Sequence, residues 1–427
     1  MLLRTLQCAG VAVGAALGLY LAFVALLAVP ALQDQVIYLH SVSLTWFRDL
    51  NAPEQFGFLP NQVTPFTLDT ADGERLHAWH VLPPGLYHEH EAQLCAEPAG
   101  LANGSEIARR LAFRLLRDDP DSLLVLYLHG AGGTLGSGWR PASYRAMSAA
   151  SPRNNIHTLA IDYRGFGAST GRPSEAGLLA DALALARFAM HDAGIPPDRI
   201  VVFGHSLGTA VATALVHRLA HAAPSLSQTR ERDDEPPIFL AGMVLVAPFT
   251  SVEQLTATYR LAGVVPLLGP VAYYFPRAMV FLHSCIHDKW PSTERLAQFI
   301  RAAETQHRQQ QLQRETKASS RPQYHVTIIH AQDDYDIPWT HAASMFRHAV
   351  NATTSRDDET TSRDDEHDDT ARGEFDEFRS GDAVEWRAPA GVLRAVVPRF
   401  GLHDRIMAYP VVSLAVLRAF ESAGNGG

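Results

Sequence analysis

Apolar residues in this chain fall into two kinds of pattern. Continuous runs occupy Leu123–Leu128, Ile156–Tyr163, Ile200–Phe203, Phe239–Val246, Tyr324–His330 and Val392–Val397. Short runs rich in Val, Ile and Leu suit strands buried on both faces. Between them, Ser174–Ala193, Leu207–Ala222 and Tyr409–Ala423 carry apolar positions at three- and four-residue steps, which predicts amphipathic helices. Pro173 and Ser174 supply the start signal for the first of these. Strands alternating with helices imply an α/β fold, a mostly parallel sheet covered on both faces. Upstream, Phe66–Leu82 alternates roughly around Asp72-Gly73, a strong turn dipeptide, and reads as a β-hairpin. Residues 83–119 show no clear period and read as surface loop.

The N-terminus has a third pattern. No charged residue stands between Arg4 and Asp34, and the core of the run is Ala9–Leu32. Roughly 22 residues of helix rise about 33 Å, enough for a hydrocarbon core of about 30 Å. A cleaved signal peptide is the alternative, but its apolar stretch is shorter, about 7–15 residues. Residues 1–32 are therefore expected to be a retained transmembrane anchor, and 33–65 a membrane-proximal connector. Residues 66–427 would then be the globular domain. Arg4 before the span gives thin support for a cytosolic N-terminus. Sequons at Asn103 and Asn351 add to it and point to a lumenal or extracellular domain, glycosylated at those residues.

Three polar segments interrupt the α/β pattern. Ala222–Pro237 reads as a loop, and Arg301–Pro322 as a helical extension ending in a loop. The third holds an exact tandem repeat, TTSRDDE at Thr353–Glu359 and again at Thr360–Glu366. Thirteen acidic residues and four arginines between Thr353 and Glu385 give −9, which equals the net charge of the whole 427-residue chain. Such a segment buries too little to offset chain entropy, so 353–385 is expected to be a disordered insertion. An acidic metal-binding tail is the weaker alternative. The remainder is neutral and has no basic stripe, which excludes a nucleic-acid partner.

Cys8, Cys95 and Cys285 match no zinc or redox spacing. Cys8 borders the apolar run and is a candidate for palmitoylation, set against an idle thiol. A Cys95–Cys285 disulfide would need an oxidising compartment.

Chemistry enters at Gly204-His205-Ser206-Leu207-Gly208. A G-x-S-x-G segment between an expected strand and helix is a strained turn that presents Ser206 Oγ at the top of the sheet. Glycines flank it because a Cβ would crowd the turn. A serine hydroxyl needs a base and an orienting acid, and in this context the chain order is Ser, acid, His. After the strand ending at His330 come Asp333, Asp334 and Asp336. Asp334, three residues before Ile337-Pro338, is the chosen acid, with the other two as loop-ordering or solvated groups. His403 follows the last strand on a glycine-containing loop, and no other histidine lies beyond the insertion. It is the expected base. His129-Gly130-Ala131-Gly132-Gly133 follows the strand Leu123–Leu128 and lets backbone amides approach a carbonyl oxygen. The expected oxyanion donors are the N–H groups of Leu207 and Ala131, with His129 structural. Nothing in the pattern calls for a metal or cofactor.

The segments LYLHGAGGT, DYRGFGASTGRPSEAG, GHSLGTAVATALV, HAQDDYDIP and GLHD together resemble one family. It is the membrane-anchored monoacylglycerol and lysophospholipid lipases of the α/β-hydrolase-domain group, including lysophosphatidylserine lipase-like serine hydrolases of the endoplasmic reticulum. The resemblance covers roughly residues 66–423 and implies an α/β-hydrolase fold with Ser206, Asp334 and His403 as its triad. It also implies that Asp162 and Arg164 brace a strand end. The acidic repeat and the Gln-rich stretch near 306–313 depart from the family, as does Ala131 where relatives often have Asn. Residues 250–291 occupy the usual place of a cap, and their apolar stretch Leu261–Pro276 either contacts lipid or packs on the sheet. The H-x4-D spacing of His283 and Asp288 reads as coincidence. The implied function is hydrolysis of an acyl ester of a single-chain lipid. A protein S-acyl thioesterase, a peptidase and a non-catalytic membrane scaffold are the alternatives.

Overall fold

Every second residue of the strand Leu123–Leu128 packs on one side of a sheet and the rest on the other. Leu124, Leu126 and Leu128 belong to one core, and Leu123, Val125 and Tyr127 to a second. A strand with both faces dry has no polar position to spare, which explains the unbroken run LLVLYL. The computed structural model describes residues 2–27, 29–221, 236–261, 265–313, 322–354, 378 and 381–424.

The strands in chain order are β1 (Val63–Asp69), β2 (Arg75–Val81), β3 (Leu123–Leu128), β4 (Ile156–Ile161), β5 (Ile200–His205) and β6 (Gly242–Val246). They continue as β7 (Arg260–Leu261), β8 (Val265–Pro266), β9 (Tyr324–Ile329), β10 (Ala383–Ala388) and β11 (Gly391–Val396). β7 and β8 form a small ribbon, and the others make one sheet in the order β1-β2-β4-β3-β5-β6-β9-β11-β10. Its centre, from β4 to β11, is parallel. The hairpin β1–β2 joins one side and β10 the other, both antiparallel. Helices Glu175–Arg187, Leu207–Ala220, Ser292–Gln313 and Thr340–Thr354 contribute to the core on one face. Helices Arg140–Ser148 and Pro410–Ser422 contribute on the other. The α/β expectation and the Phe66–Leu82 hairpin are both realised.

Several expectations need correction. Residues 83–119 contain helices at Pro84–Cys95 and Leu111–Asp118. In the first of these only Tyr87 and Leu94 are buried, seven residues apart, too sparse a stripe to read as periodic. The predicted insertion 353–385 runs into β10, whose Glu385 pairs with Arg394 on β11. β10 is an edge strand with mostly exposed side chains, so charge there signals solvent rather than disorder. The tandem repeat itself falls mostly outside the described residues, as does most of Ala222–Pro237.

The uncharged N-terminal run is not one helix. It forms Leu2–Leu26, and a second helix, Pro30–Tyr38, starts at Pro30. Proline lacks an amide hydrogen and pushes its predecessor out of the helical region. The apolar part of the first helix, Ala9–Leu26, is then roughly 18 residues and about 27 Å long. Among the described residues no helix is long and apolar enough to cross a membrane. The segment expected to be a connector packs into the domain: Tyr38 is fully buried, and Leu50, Phe56 and Phe58 join the core. Cys95 and Cys285 are free thiols, and the side chain of Cys8 lies outside the described residues.

Candidate active site

β3 sits between β4 and β5, so successive connections leave it in opposite directions. A crevice opens at such a switch point, beyond the carboxyl ends of the strands. The loop after β3 begins at His129, and the turn after β5 carries Ser206. Sequence placed both chemical motifs beside this crevice.

Ser206 has φ 51° and ψ −117°, a left-handed conformation that side chains rarely adopt. The turn tolerates it because Ser206 N–H donates to Val246 O at 2.9 Å and the helix Leu207–Ala220 starts immediately after. A Cβ at Gly208 would overlap the Leu128 carbonyl, and one at Gly204 would strike Gly208. The flanking glycines therefore answer a close approach between β3 and the helix.

His403 Nε2 lies 3.0 Å from Ser206 Oγ, and His403 Nδ1 lies 2.8 Å from Asp334 Oδ2. Asp334 is the aspartate that reaches the histidine. Its Oδ1 accepts the backbone amides of Asp336 and Ile337, each at 3.0 Å. Its Oδ2 also faces His330 Nε2 at 3.0 Å, a partner that sequence reasoning missed. Burial alone would raise the Asp334 carboxyl, but the hydrogen bonds from His330 and His403 override it and hold the group well below the usual carboxylate range. His403 is displaced in the opposite sense. Burial works against its charge, yet the hydrogen bond and charge of Asp334 prevail and raise it to about 9. Asp333 Oδ1 accepts Leu402 N–H at 2.8 Å and ties the two loops together, a loop-ordering role.

The loop after β3 is fixed from behind. The Arg140 guanidinium, itself buried, donates to the carbonyls of Gly130, Gly132 and Thr134 at 3.0, 2.8 and 2.7 Å, and more weakly to Ala131 at 3.3 Å. Carbonyls drawn to one side leave their amides facing the other. Gly132 N–H is taken by Tyr38 O at 2.8 Å and Gly133 N–H by Val42 O at 2.7 Å. Among the described residues, Ala131 N–H and Leu207 N–H donate to no backbone carbonyl. These are the two amides expected to be oxyanion donors. Arg140 has no motif of its own and could not have been found from sequence.

Residues 123–358, more than half of the chain, match the alpha/beta hydrolase family. The chain belongs to that family. Among curated relatives it is 30% identical to the lysophosphatidylserine lipase ABHD12 of Danio rerio, over 61% of this chain and 58% of that protein. To the protein of the same name in Xenopus tropicalis it is 29% identical over 80% of this chain and 72% of that one. To Protein ABHD12B of Homo sapiens the figures are 30%, 53% and 52%. The matches thus span between about half and three quarters of the relatives' lengths.

Other hydrolase features fall into place around the crevice. His129 is buried, with Nδ1 donating to Gly130 O at 2.7 Å, and burial pushes its pKa well down; a neutral, structural imidazole results. Asp162 Oδ1 accepts Leu135 N–H at 2.8 Å, and its backbone carbonyl accepts Ser169 Oγ at 2.6 Å. Arg164 bridges Asp72 and buried Asp181. Both residues act as braces. His283 and Asp288 do not pair: Asp288 Oδ2 accepts the Tyr38 hydroxyl at 2.6 Å, and His283 Nε2 faces Thr256 Oγ1 at 3.4 Å. Two clusters have metal-compatible spacing, His205–His403–Asp404 and Asp334–Asp336–His403. Both use His403, whose ring nitrogens already face Ser206 and Asp334, so an ion there would displace one of these contacts. Asn103 and Asn351 are both exposed. Tyr335, Phe400 and Leu402, on the loops that carry Asp334 and His403, are exposed.

Proposed function

We propose that the protein is a serine hydrolase that cleaves acyl esters of single-chain lipids, a lysophospholipid or a monoacylglycerol, through an acyl-enzyme on Ser206. The observation that carries this reading is the continuous chain from Ser206 Oγ through His403 to Asp334, at 3.0 and 2.8 Å. Ser206 Oγ attacks the ester carbonyl while its proton passes to His403 Nε2. The oxyanion forms where the Leu207 and Ala131 amides point. His403 returns the proton to the leaving glycerol oxygen as the C–O bond breaks. A water molecule, deprotonated by His403, then attacks the acyl-enzyme, and the fatty acid leaves as Ser206 regains its proton. No step calls for a cofactor. The lipid assignment is supported by the names of the ABHD12 relatives and by the exposed Tyr335, Phe400 and Leu402 beside the triad loops. That Asp334 is buried and fully hydrogen-bonded suits an orienting anion rather than a second base.

The reading extends to place. Residues 1–32 hold the enzyme at a membrane, and the hydrolase domain, which takes in the packed segment from residue 33 onward, carries a cap near 250–291. Support comes from the uncharged run and the two exposed sequons, which suit a domain in the lumen of the endoplasmic reticulum.

The experiment is fluorophosphonate labelling of membranes that contain the wild type or Ser206→Ala, with competition by a monoacylglycerol and a lysophosphatidylserine. Labelling that requires Ser206 and is suppressed by either lipid is expected, and the stronger competitor ranks the head groups. Wild-type protein that resists every serine-directed probe would sink the reading.

A further inference from the structure

The cap and the N-terminal helix are packed together. Tyr20, Val24 and Leu27 lie against a cluster formed by Leu268, Val271, Met279 and Leu282 of the cap. The Tyr20 hydroxyl donates to Leu267 O at 3.2 Å. Just beyond that helix, Gln33 Nε2 donates to Cys285 O at 2.8 Å, and Gln33 Oε1 accepts His287 N–H at 3.1 Å. Spacings of three and four residues place Tyr20, Val24 and Leu27 on one face of the N-terminal segment. The opposite side is apolar and bare: Val11, Leu19 and Leu26 are all more than half exposed.

The cap repeats this arrangement. Helix Pro276–Cys285 buries Met279 and Leu282 and turns Val280 and Phe281 outward, 70% and 63% exposed. The preceding helix Gly269–Tyr274 ends in Tyr273 and Tyr274, followed by Phe275, and the three are exposed by 80%, 70% and 63%. Between Glu253 and Asp288 the only charged residues are Arg260 and Arg277, both basic. Large contiguous apolar patches are rare on soluble monomers and mark contact with a partner, a ligand or a membrane. Aromatic rings and basic side chains together are the composition of a surface that lies in the headgroup region of a bilayer.

We infer that the outward faces of Gly269–Tyr274 and Pro276–Cys285 and the bare side of helix Leu2–Leu26 form one surface that docks on a lipid bilayer. The inference rests on the proposed membrane attachment and adds the cap to it. The cap is in turn tied to the loop of the acid, since Arg260 N–H donates to Asp336 O at 3.2 Å and Thr258 Oγ1 lies 2.8 Å from His341 Nε2. A cap seated in the headgroups holds the acid's loop, with exposed Tyr335, beside the membrane. A single-chain lipid then enters from the bilayer without crossing water. The two arginines favour an anionic lipid surface.

The test uses the full chain in vesicles of phosphatidylcholine with or without phosphatidylserine, some carrying brominated acyl chains. Phe281→Trp places a fluorescent reporter on the cap, read as the difference from the parent protein. Its fluorescence is expected to be quenched by the brominated lipid, more so with phosphatidylserine. The combined variant Tyr273→Ser, Phe275→Ser and Phe281→Ser is expected to raise KM for a vesicle-borne lysophospholipid by roughly ten-fold and to leave hydrolysis of a soluble short-chain ester unchanged. An unquenched reporter in Phe281→Trp overturns the inference, and so does an unchanged vesicle KM. If the reporter stays unquenched and the combined variant dissociates an oligomer, the surface instead seats a second copy of the chain. Loss of soluble-ester hydrolysis in Ser206→Ala, with alkaline extraction of the wild type from membranes, tests the underlying reading separately.

Discussion

The backbone carbonyl of Tyr38 accepts the amide of Gly132 at 2.8 Å, so the residue that ends the second N-terminal helix holds the loop that faces Ser206. Tyr38 is itself fixed by its hydroxyl, which donates to Asp288 at 2.6 Å and accepts from Trp290 Nε1 at 3.2 Å. Tyr38→Phe keeps the ring and the carbonyl but leaves buried Asp288 without its hydroxyl partner. Such a loss costs on the order of 1–3 kcal/mol. A lower thermal midpoint is expected, together with a several-fold drop in kcat at nearly constant KM, because the loop loosens while the mouth is untouched. Melting curves and steady-state kinetics on the full chain check both.

Arg140 is the second hold on that loop. Arg140→Met removes the guanidinium's hydrogen bonds to the Gly130, Ala131, Gly132 and Thr134 carbonyls. Gly130 O keeps only His129 Nδ1, the loop is held less firmly, and the Ala131 amide loses its aim. Loss of one oxyanion donor costs about 10²–10³ in kcat, and a fall of roughly that size is expected with KM little changed. A trifluoromethyl ketone, which forms a tetrahedral adduct, should lose affinity in parallel. Unchanged adduct affinity would show that the loop is held without Arg140.

How much of this was legible depends on what kind of group does the work. Ser206, Asp334 and His403 are legible because in this fold their order along the chain and their places after strands are set by the topology. The central strands could be read because burial on both faces leaves an unbroken apolar run. Arg140 could not, since it acts on carbonyls, which carry no residue identity. The hold of Tyr38 on Gly132 is invisible for the same reason. β10 lies within the acidic insertion expected from sequence because an edge strand facing water has the composition of a loop. The N-terminal run reads as one span because an apolar count takes no account of what Pro30 does to a helix.

Asp334 should be replaceable in shape but not in charge. Asp334→Asn can still accept the amides of Asp336 and Ile337, but it cannot stabilise the imidazolium or enforce the right tautomer of His403. A fall of about 10⁴ in kcat is expected, with near-normal melting. Isothermal binding of a non-hydrolysable substrate ether should be unaffected, which separates positioning of the base from substrate affinity.

The pH profile follows from His403. As a general base it must be neutral, and Asp334 raises its pKa to about 9. The fraction of neutral imidazole therefore grows as pH rises from 7 to 9, and kcat/KM should climb through that window and level off above it. The stability term has its own sign. A group whose folded pKa is raised contributes stability below its unfolded pKa, near 6.5, and loses it as pH rises through about 9. Activity and stability are thus expected to move in opposite directions between pH 7 and 9. A profile already flat at pH 7 would mean that substrate binding releases the imidazole from Asp334.

Asp162 makes a second pH prediction, remote from proton transfer. Complete burial raises its carboxyl to about 7 against the opposing field of Arg140 and the Leu135 amide. The folded chain then binds a proton more tightly than the unfolded chain, whose value is 3.8. The sign is fixed by that order: the contribution to stability is fully present below about pH 4 and is lost as pH rises through 7. Asp162→Asn keeps an oxygen for the Leu135 amide and mimics the protonated acid, so it removes this pH dependence. Chemical denaturation at pH 5 and pH 8 is expected to show a smaller difference in the variant than in the wild type, with the variant the more stable of the two at pH 8. A variant less stable at pH 8 would show that the ionised carboxylate is held by the Arg140 charge rather than penalised by its burial.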